Sequence, residues 1–117
     1  MDDQECVREV LREMLQALGW DVVCAHEGAE AVALYRKSRN EGRPFSLVIL
    51  DLDVPDGIGG KEAMSELLLI DPEIRAVVSS GYYDEPVFAH YRSYGFHSIL
   101  AKPYRINDLI KVLEEWQ

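Results

Sequence analysis

Val7, Val10, Leu11, Met14, Leu15 and Leu18 recur at the i, i+3, i+4, i+7, i+8 and i+11 spacing of one helical face, which predicts an amphipathic helix over residues 4–18. Gly19 stands where a helix-ending glycine belongs. Residues 21–26, DVVCAH, are short and partly β-branched and predict a strand. A second helix is expected over 28–40, with Ala29, Val32, Ala33 and Tyr35 or Arg36 along one side, and EGRP at 41–44 reads as a loop. Residues 45–51, FSLVILD, form a nearly continuous apolar run that suits a strand covered on both faces. VPDGIGG at 54–60 reads as a loop. Met64, Leu67 and Leu68 mark a helix over 61–70 that stops at Asp71-Pro72, and 74–80 is a strand broken by Gly81. Residues 86–94 predict an aromatic-bearing helix ended by Gly95, and 98–101 a short strand leading into Lys102-Pro103. A final helix over 105–116 carries Ile106, Leu109, Ile110, Leu113 and Trp116 on one stripe.

The resulting order, αβαβαβαβα, implies right-handed crossovers and a parallel sheet with helices on both faces. In such open sheets the reactive positions lie beyond the carboxyl ends of the strands. That rule selects Asp51 to Asp53, Ser79 to Gly81, and Lys102-Pro103. The pattern shows no internal repeat, linker or second domain, and the 117 residues suit one domain with a single core.

Composition narrows the function classes. Hydrophobic residues make up 48% and charged residues 28% of the chain, an ordinary globular mix, and no apolar run approaches the ~18 residues of a membrane span. The N-terminal acidic residues Asp2, Asp3 and Glu5 have the wrong sign for a signal peptide. Cys6 and Cys24 lack metal-ligand spacing and read as reduced packing residues of a cytoplasmic protein. A net charge of −9 opposes nucleic-acid binding through a broad basic face; cations and basic or apolar protein surfaces are the expected partners.

Asp51 closes a strand with no other polar residue after Ser46. Carboxylates also end strands simply as loop caps, so its company decides the reading. The topology brings to the same sheet edge a hydroxyl (Ser80), a lysine (Lys102) and an acidic pair (Asp2, Asp3). This set suits phosphoryl chemistry on a carboxylate: Asp51 attacks phosphorus to give an acyl phosphate, while lysine and hydroxyl take phosphoryl oxygens. Converging carboxylates repel by about 4 kcal/mol per pair at ~4 Å and an effective dielectric of ~20. Lys102 neutralises one of them, so Mg²⁺, a hard oxygen-seeking ion, is the expected cofactor.

Asp2-Asp3, LVILDLDVP around Asp51, VVSSG at 77–81 and ILAKPY at 99–104 together resemble the receiver domain of two-component response regulators, over essentially the whole chain. The wording PDGIGGKEA, SSGYYDEPVFAHYRSYGF and LAKPYRINDL is similar to receivers at the C-terminal end of hybrid sensor histidine kinases. The resemblance implies a flavodoxin-like doubly wound sheet of strand order 2-1-3-4-5. It implies Asp51 as phospho-acceptor, Asp2, Asp3, Asp51 and the backbone carbonyl of Asp53 as Mg²⁺ ligands, Ser80 as the switch hydroxyl and Lys102 as the family lysine, with Lys102–Pro103 cis. It implies a histidine kinase or its phosphotransfer domain as donor, and a partner-binding or dimer face on the fourth helix, fifth strand and fifth helix. Three departures stand out. Gly59 replaces an aspartate, Ile99 replaces a switching aromatic, and the family's first strand lies before the acidic pair, which here directly follows Met1. An apolar, β-branched segment upstream of Met1 is therefore expected, with the domain N-terminally incomplete without it.

Two other readings compete. Asp51-Leu52-Asp53 is a D-x-D that would serve a haloacid-dehalogenase-like phosphatase, although Pro55 stands where that family needs threonine. A degenerate receiver that only binds partners is the other. His26, His90 and His97 are scattered and read as surface or packing residues. About half of the aromatic set Tyr82, Tyr83, Phe88, Tyr91, Tyr94, Phe96 and Tyr104 is expected in the core, with Trp20 and Trp116 closing it. Gly28, Gly57, Gly59 and Gly60 form no phosphate-binding motif.

Overall fold

In a computed structural model, the structure describes residues 1–55, 57–81 and 86–115. Three parallel strands, β1 (Val48–Asp51), β2 (Ala76–Ser80) and β3 (Ser98–Ala101), lie side by side in chain order. Val48 pairs with Ala76 and Asp51 with Ser79, while Val77 pairs with Ser98 and Ser80 with Ala101. The helices are α1 (Glu5–Ala17), α2 (Gly28–Asn40), α3 (Gly60–Ile70), α4 (Pro86–Ala89) and α5 (Ile106–Glu114), with a 3-10 turn at Tyr91–Tyr94.

The period of two along the strands sends alternate residues to opposite faces. Leu50, Ala76 and Val78 join Val32 and Tyr35 of α2, Met64 and Leu67 of α3, and Phe88 and Phe96 in one core cluster. Val77 and Leu100 join Leu15 of α1 and Leu109, Val112 and Leu113 of α5 in the other. Helices thus cover both faces, and each strand is buried on both, as its near-continuous apolar run requires.

The caps explain where elements stop. Gly19 takes φ 92°; its N–H donates to Gln16 O at 3.0 Å, and the Trp20 N–H donates to Leu15 O at 3.0 Å. This pairing satisfies the last carbonyls of α1, and the left-handed φ favours glycine. The Glu27 carboxylate accepts from the N–H groups of Ala29 and Glu30 and starts α2. These bonds, with a third from Ile58 N–H, hold the Glu27 carboxyl below its usual range.

Several expectations shift. In α2 the buried residues are Gly28, Val32, Tyr35 and Ser38, whereas Ala29 and Ala33 are exposed. Alanine carries little apolar area, so the large side chains decide which face turns inward. The helix expected over 86–94 breaks at His90, because Phe88, Tyr91 and Tyr94 recur every three residues, the 3-10 period. Trp20 packs against the α1–α5 cluster, whereas Trp116, Tyr82 and Tyr83 lie outside the described residues.

The strand expected over 21–26 does not form. A strand needs a neighbour about 4.8 Å away. Between residues 20–25 and β1 lies instead a cavity of about 120 Å³, lined by Leu11, Leu15, Trp20, Val22 and Ile49 among others. Met1 and Asp2 bridge its rim. The Met1 ammonium donates to Ile49 O at 2.7 Å, Asp51 N–H donates to Met1 O at 3.1 Å, and Asp2 N–H donates to Ala25 O at 3.1 Å. This is the pattern of a parallel strand end, with Met1 opposite Leu50. Burial in that position lowers the pKa of the Met1 ammonium.

Gly60, the first residue of α3, lies against the end of β1: a Cβ there would sit 2.8 Å from Asp51 O. That contact is with backbone, which cannot swing aside. Gly60→Ala is therefore expected to lower stability by about 1–3 kcal/mol, measured by urea unfolding, and to shift the backbone amide resonances of Asp51 and Leu52.

Candidate functional site

The acidic edge is assembled by three segments far apart in sequence. Asp51 ends β1 and is 1% exposed. Asp2 is held by the bonds of Met1 and by its own Oδ1, which accepts the Gln4 N–H at 2.9 Å ahead of α1. Lys102 follows β3, its N–H donating to Ser80 O at 2.9 Å, and the Lys102–Pro103 bond is cis.

The Lys102 ammonium lies 2.9 Å from Asp2 Oδ2 and 3.1 Å from Asp51 Oδ1. Asp51 Oδ1 also accepts the Asp53 N–H at 3.1 Å. Asp51 Oδ2, by contrast, is buried without a hydrogen-bond partner among the described residues. Burial pushes the Asp51 carboxyl up to about 6, helped by the Asp2 charge and opposed by the Asp53 N–H and Lys102. Burial pulls Lys102 down, but its hydrogen bonds to Asp2 and Asp51 outweigh this and hold the ammonium above its ordinary value. Tyr104, half-buried nearby, is pushed up to about 12 by burial and then by Asp2.

Asp2, Asp3 and Asp51 each bring a carboxylate oxygen, all within 4.8 Å of one another. Three carboxylates against one ammonium leave two negative charges, the complement of a divalent cation. The orphaned Asp51 Oδ2 is the independent sign that the site accepts a further positive or electrophilic group. An all-oxygen set suits Mg²⁺.

The expected residues therefore converge, with one difference. Ser80 Oγ is directed to the Asp53 carboxylate, 3.3 Å from Oδ1 and 3.2 Å from Oδ2, and the Gly81 N–H donates to Asp53 Oδ2 at 3.1 Å. The Asp53 side chain was legible only as half of a D-x-D, and its hold on Ser80 had no signal in the sequence. Gly60 is the other residue whose part sequence reasoning missed. Ile99 is half-buried against the α2–α3 cluster, so the position of the absent aromatic is filled by packing.

The raised pKa of Asp51 has a thermodynamic consequence. The folded state holds this proton up to about 6, the unfolded state only to 3.8. Between those values the folded state binds more protons, so stability falls as pH rises through the window and stays lowered above it. Without metal, Asp51→Asn should raise stability by about 1–2 kcal/mol at pH 7. Urea unfolding in EDTA should show that gain shrinking towards pH 4.

Comparisons with known proteins agree with this geometry. The chain is 31% identical to the two-component response regulator ARR10 of Arabidopsis thaliana, over 99% of its own length and 19% of that protein's. It is 26% identical to sporulation initiation phosphotransferase F of Bacillus subtilis, over 99% of its length and 89% of that protein's. It thus spans about a fifth of one relative and most of the other. The receiver domain of sensor histidine kinase PA1611 from Pseudomonas aeruginosa PAO1, solved with a magnesium ion coordinated in its active-site cleft, superposes with a TM-score of 0.85 at 20% identity, covering 99% of this chain and 92% of that one. The fold is accordingly the CheY-like, flavodoxin-type one. A family model, the response regulator receiver domain, matches residues 1–114, and the chain belongs to that family.

Proposed function

We propose that this receiver accepts a phosphoryl group on Asp51 from the phosphohistidine of a histidine kinase or its phosphotransfer domain. One observation carries the reading: of the two oxygens of a buried carboxylate, Oδ1 is held by Lys102 and the Asp53 N–H, while Oδ2 has no partner among the described residues. The nucleophile is thus oriented by one oxygen and free to react through the other.

In the transfer, a bond forms between Asp51 Oδ2 and phosphorus as the phosphorus–nitrogen bond of the donor breaks. The electron pair of that bond returns to the imidazole. Lys102, already within reach of Asp51, pairs with a phosphoryl oxygen, and the Ser80 hydroxyl donates to another. Asp2, Asp3, Asp51 and the carbonyl of Asp53 would hold Mg²⁺, which supplies charge neutralisation at the phosphoryl oxygens. The PA1611 receiver was solved with magnesium coordinated in its active-site cleft, which supports a cation in the corresponding cleft here. The face formed by α4, β3 and α5, with Tyr104 beside Lys102, is the proposed route to a partner or a dimer mate. Residence in a hybrid histidine kinase, in the cytoplasm, is the setting we favour; the wording of residues 55–63, 79–96 and 100–109 supports the kinase.

Two alternatives are less well supported. A phosphatase of the haloacid-dehalogenase type needs the Asp53 carboxylate as a proton donor beside Asp51, but that carboxylate is engaged by Ser80 and Gly81. A receiver that only binds partners has no use for Asp51, Ser80 and Lys102 kept together.

Acetyl phosphate with Mg²⁺ should add the mass of one phosphoryl group to the wild-type chain and none to Asp51→Asn. Intact-mass spectrometry reads this directly, and modification of the Asn variant would overturn the assignment. Mg²⁺ alone should stabilise the fold, because the cation binds the folded cluster and not the unfolded chain. At a hundredfold excess over its dissociation constant the gain is about 2.7 kcal/mol. Equal melting temperatures in EDTA and in saturating Mg²⁺ would contradict it.

A further inference from the structure

The carboxylate of Asp53 is not among the groups that phosphoryl transfer requires, yet it occupies the most consequential position beside them. The β1–β2 ladder continues one step past Asp51, where Leu52 N–H donates to Ser79 O at 2.9 Å. That step brings Asp53 level with the end of β2. Its backbone N–H then holds Asp51 Oδ1 at 3.1 Å, while its carboxylate accepts the Ser80 hydroxyl at 3.2–3.3 Å and the Gly81 N–H at 3.1 Å. One residue therefore ties the nucleophile to the hydroxyl expected to donate to a phosphoryl oxygen.

We propose that the Asp53 carboxylate is a resting-state latch on Ser80 and Gly81, and that a phosphoryl group on Asp51 must displace it. The inference rests on the phospho-acceptor reading of Asp51. A serine hydroxyl carries one proton and donates it to one acceptor at a time. While that proton goes to Asp53, it cannot stabilise an incoming phosphoryl oxygen. The two acceptors are also both anionic, so the phosphoryl group and the Asp53 carboxylate repel across a short distance. Arrival of phosphate thus does two things: it competes for Ser80 and drives Asp53 away from Gly81. The bond between strand end and loop that marks the resting state is lost as the new one is made. Asp53 acts through Ser80 and is a positioning residue, not a reacting one.

The rate of phosphoryl uptake from acetyl phosphate, followed by intact mass under saturating Mg²⁺, tests this in wild type, Asp53→Ala, Ser80→Ala and the double variant. Freeing a hydroxyl from one hydrogen bond corresponds to an acceleration of about 2- to 10-fold in Asp53→Ala. In the Ser80→Ala background the same substitution should accelerate uptake less than in wild type, because only the Gly81 bond and the charge repulsion remain to be relieved. The Gly81 amide proton should also move upfield in Asp53→Ala, where it loses its acceptor. Asp53→Asn keeps the shape and removes the charge, and gives a smaller acceleration that does not depend on the alanine variant folding. An unchanged or slower rate in both Asp53 variants overturns the latch. So does an equal acceleration with and without Ser80, which would be a general effect of removing a charge. Mass gain at equal rates sinks the latch alone, whereas no mass gain in any of the proteins sinks the phospho-acceptor reading and the latch with it.

Discussion

The Lys102 ammonium, between Asp2 and Asp51, is the interaction on which the site depends. It joins the start of the chain, the end of β1 and the turn after β3 at distances of 2.9 and 3.1 Å. A carboxylate as buried as Asp51 costs several kcal/mol to ionise without a partner. One ammonium shared between two carboxylates offsets that only in part, and the Asp51 carboxyl remains raised to about 6. The resting site is thus held together by an ion pair that leaves negative charge over. A surplus of this kind is a poor way to stabilise a fold and a good way to prefer the state in which a cation is bound.

The same accounting explains why the core is built as it is. β1 ends in Asp51 and β2 in Ser80, and Lys102 follows β3, so these positions serve the edge rather than the core. Stability comes from the alternation below them, with Leu50 and Val78 on one face and Val77 and Leu100 on the other. The close approach of Gly60 to Asp51 O seats α3 against β1 without a side chain between. Asp51 is then fixed from beneath by packing and from above by Lys102, which leaves Oδ2 without a partner among the described residues.

Much of this was legible in the sequence, for physical reasons. Strands buried on both faces must be continuously apolar, so 45–51 and 74–80 stood out, and Asp51 was conspicuous as the break in such a run. The helical stripe of α1 and the glycine that ends it were equally plain, although Val10 of that stripe is exposed. The convergence of Asp2, Asp51, Ser80 and Lys102 followed from topology, because parallel strands place their carboxyl ends together. What was not legible depends on partners that local pattern does not name. The segment 21–26 has the composition of a strand, but pairing requires a neighbour at hydrogen-bond distance, and a cavity lies there instead. Ala29 and Ala33 fit a helical stripe in period but not in buried area. The direction of the Asp53 carboxylate is set by a register between β1 and β2 that composition does not encode.

The acidic pair shows how the two halves of the problem meet. Asp2 reaches Lys102 because Met1 is bonded to Ile49 O and to the Asp51 N–H, and because its own N–H is bonded to Ala25 O. Those backbone bonds also form the rim of the apolar cavity between residues 20–25 and β1. The placement of the Asp2 carboxylate and the closure of the sheet at β1 therefore rest on the same backbone bonds. A cation that fixes the Asp2 carboxylate restrains the rim, and ordering of the rim in turn sets the spacing of the carboxylates. If Mg²⁺ binds as proposed, its affinity and the cohesion of the sheet at β1 are linked through Asp2 and rise and fall together.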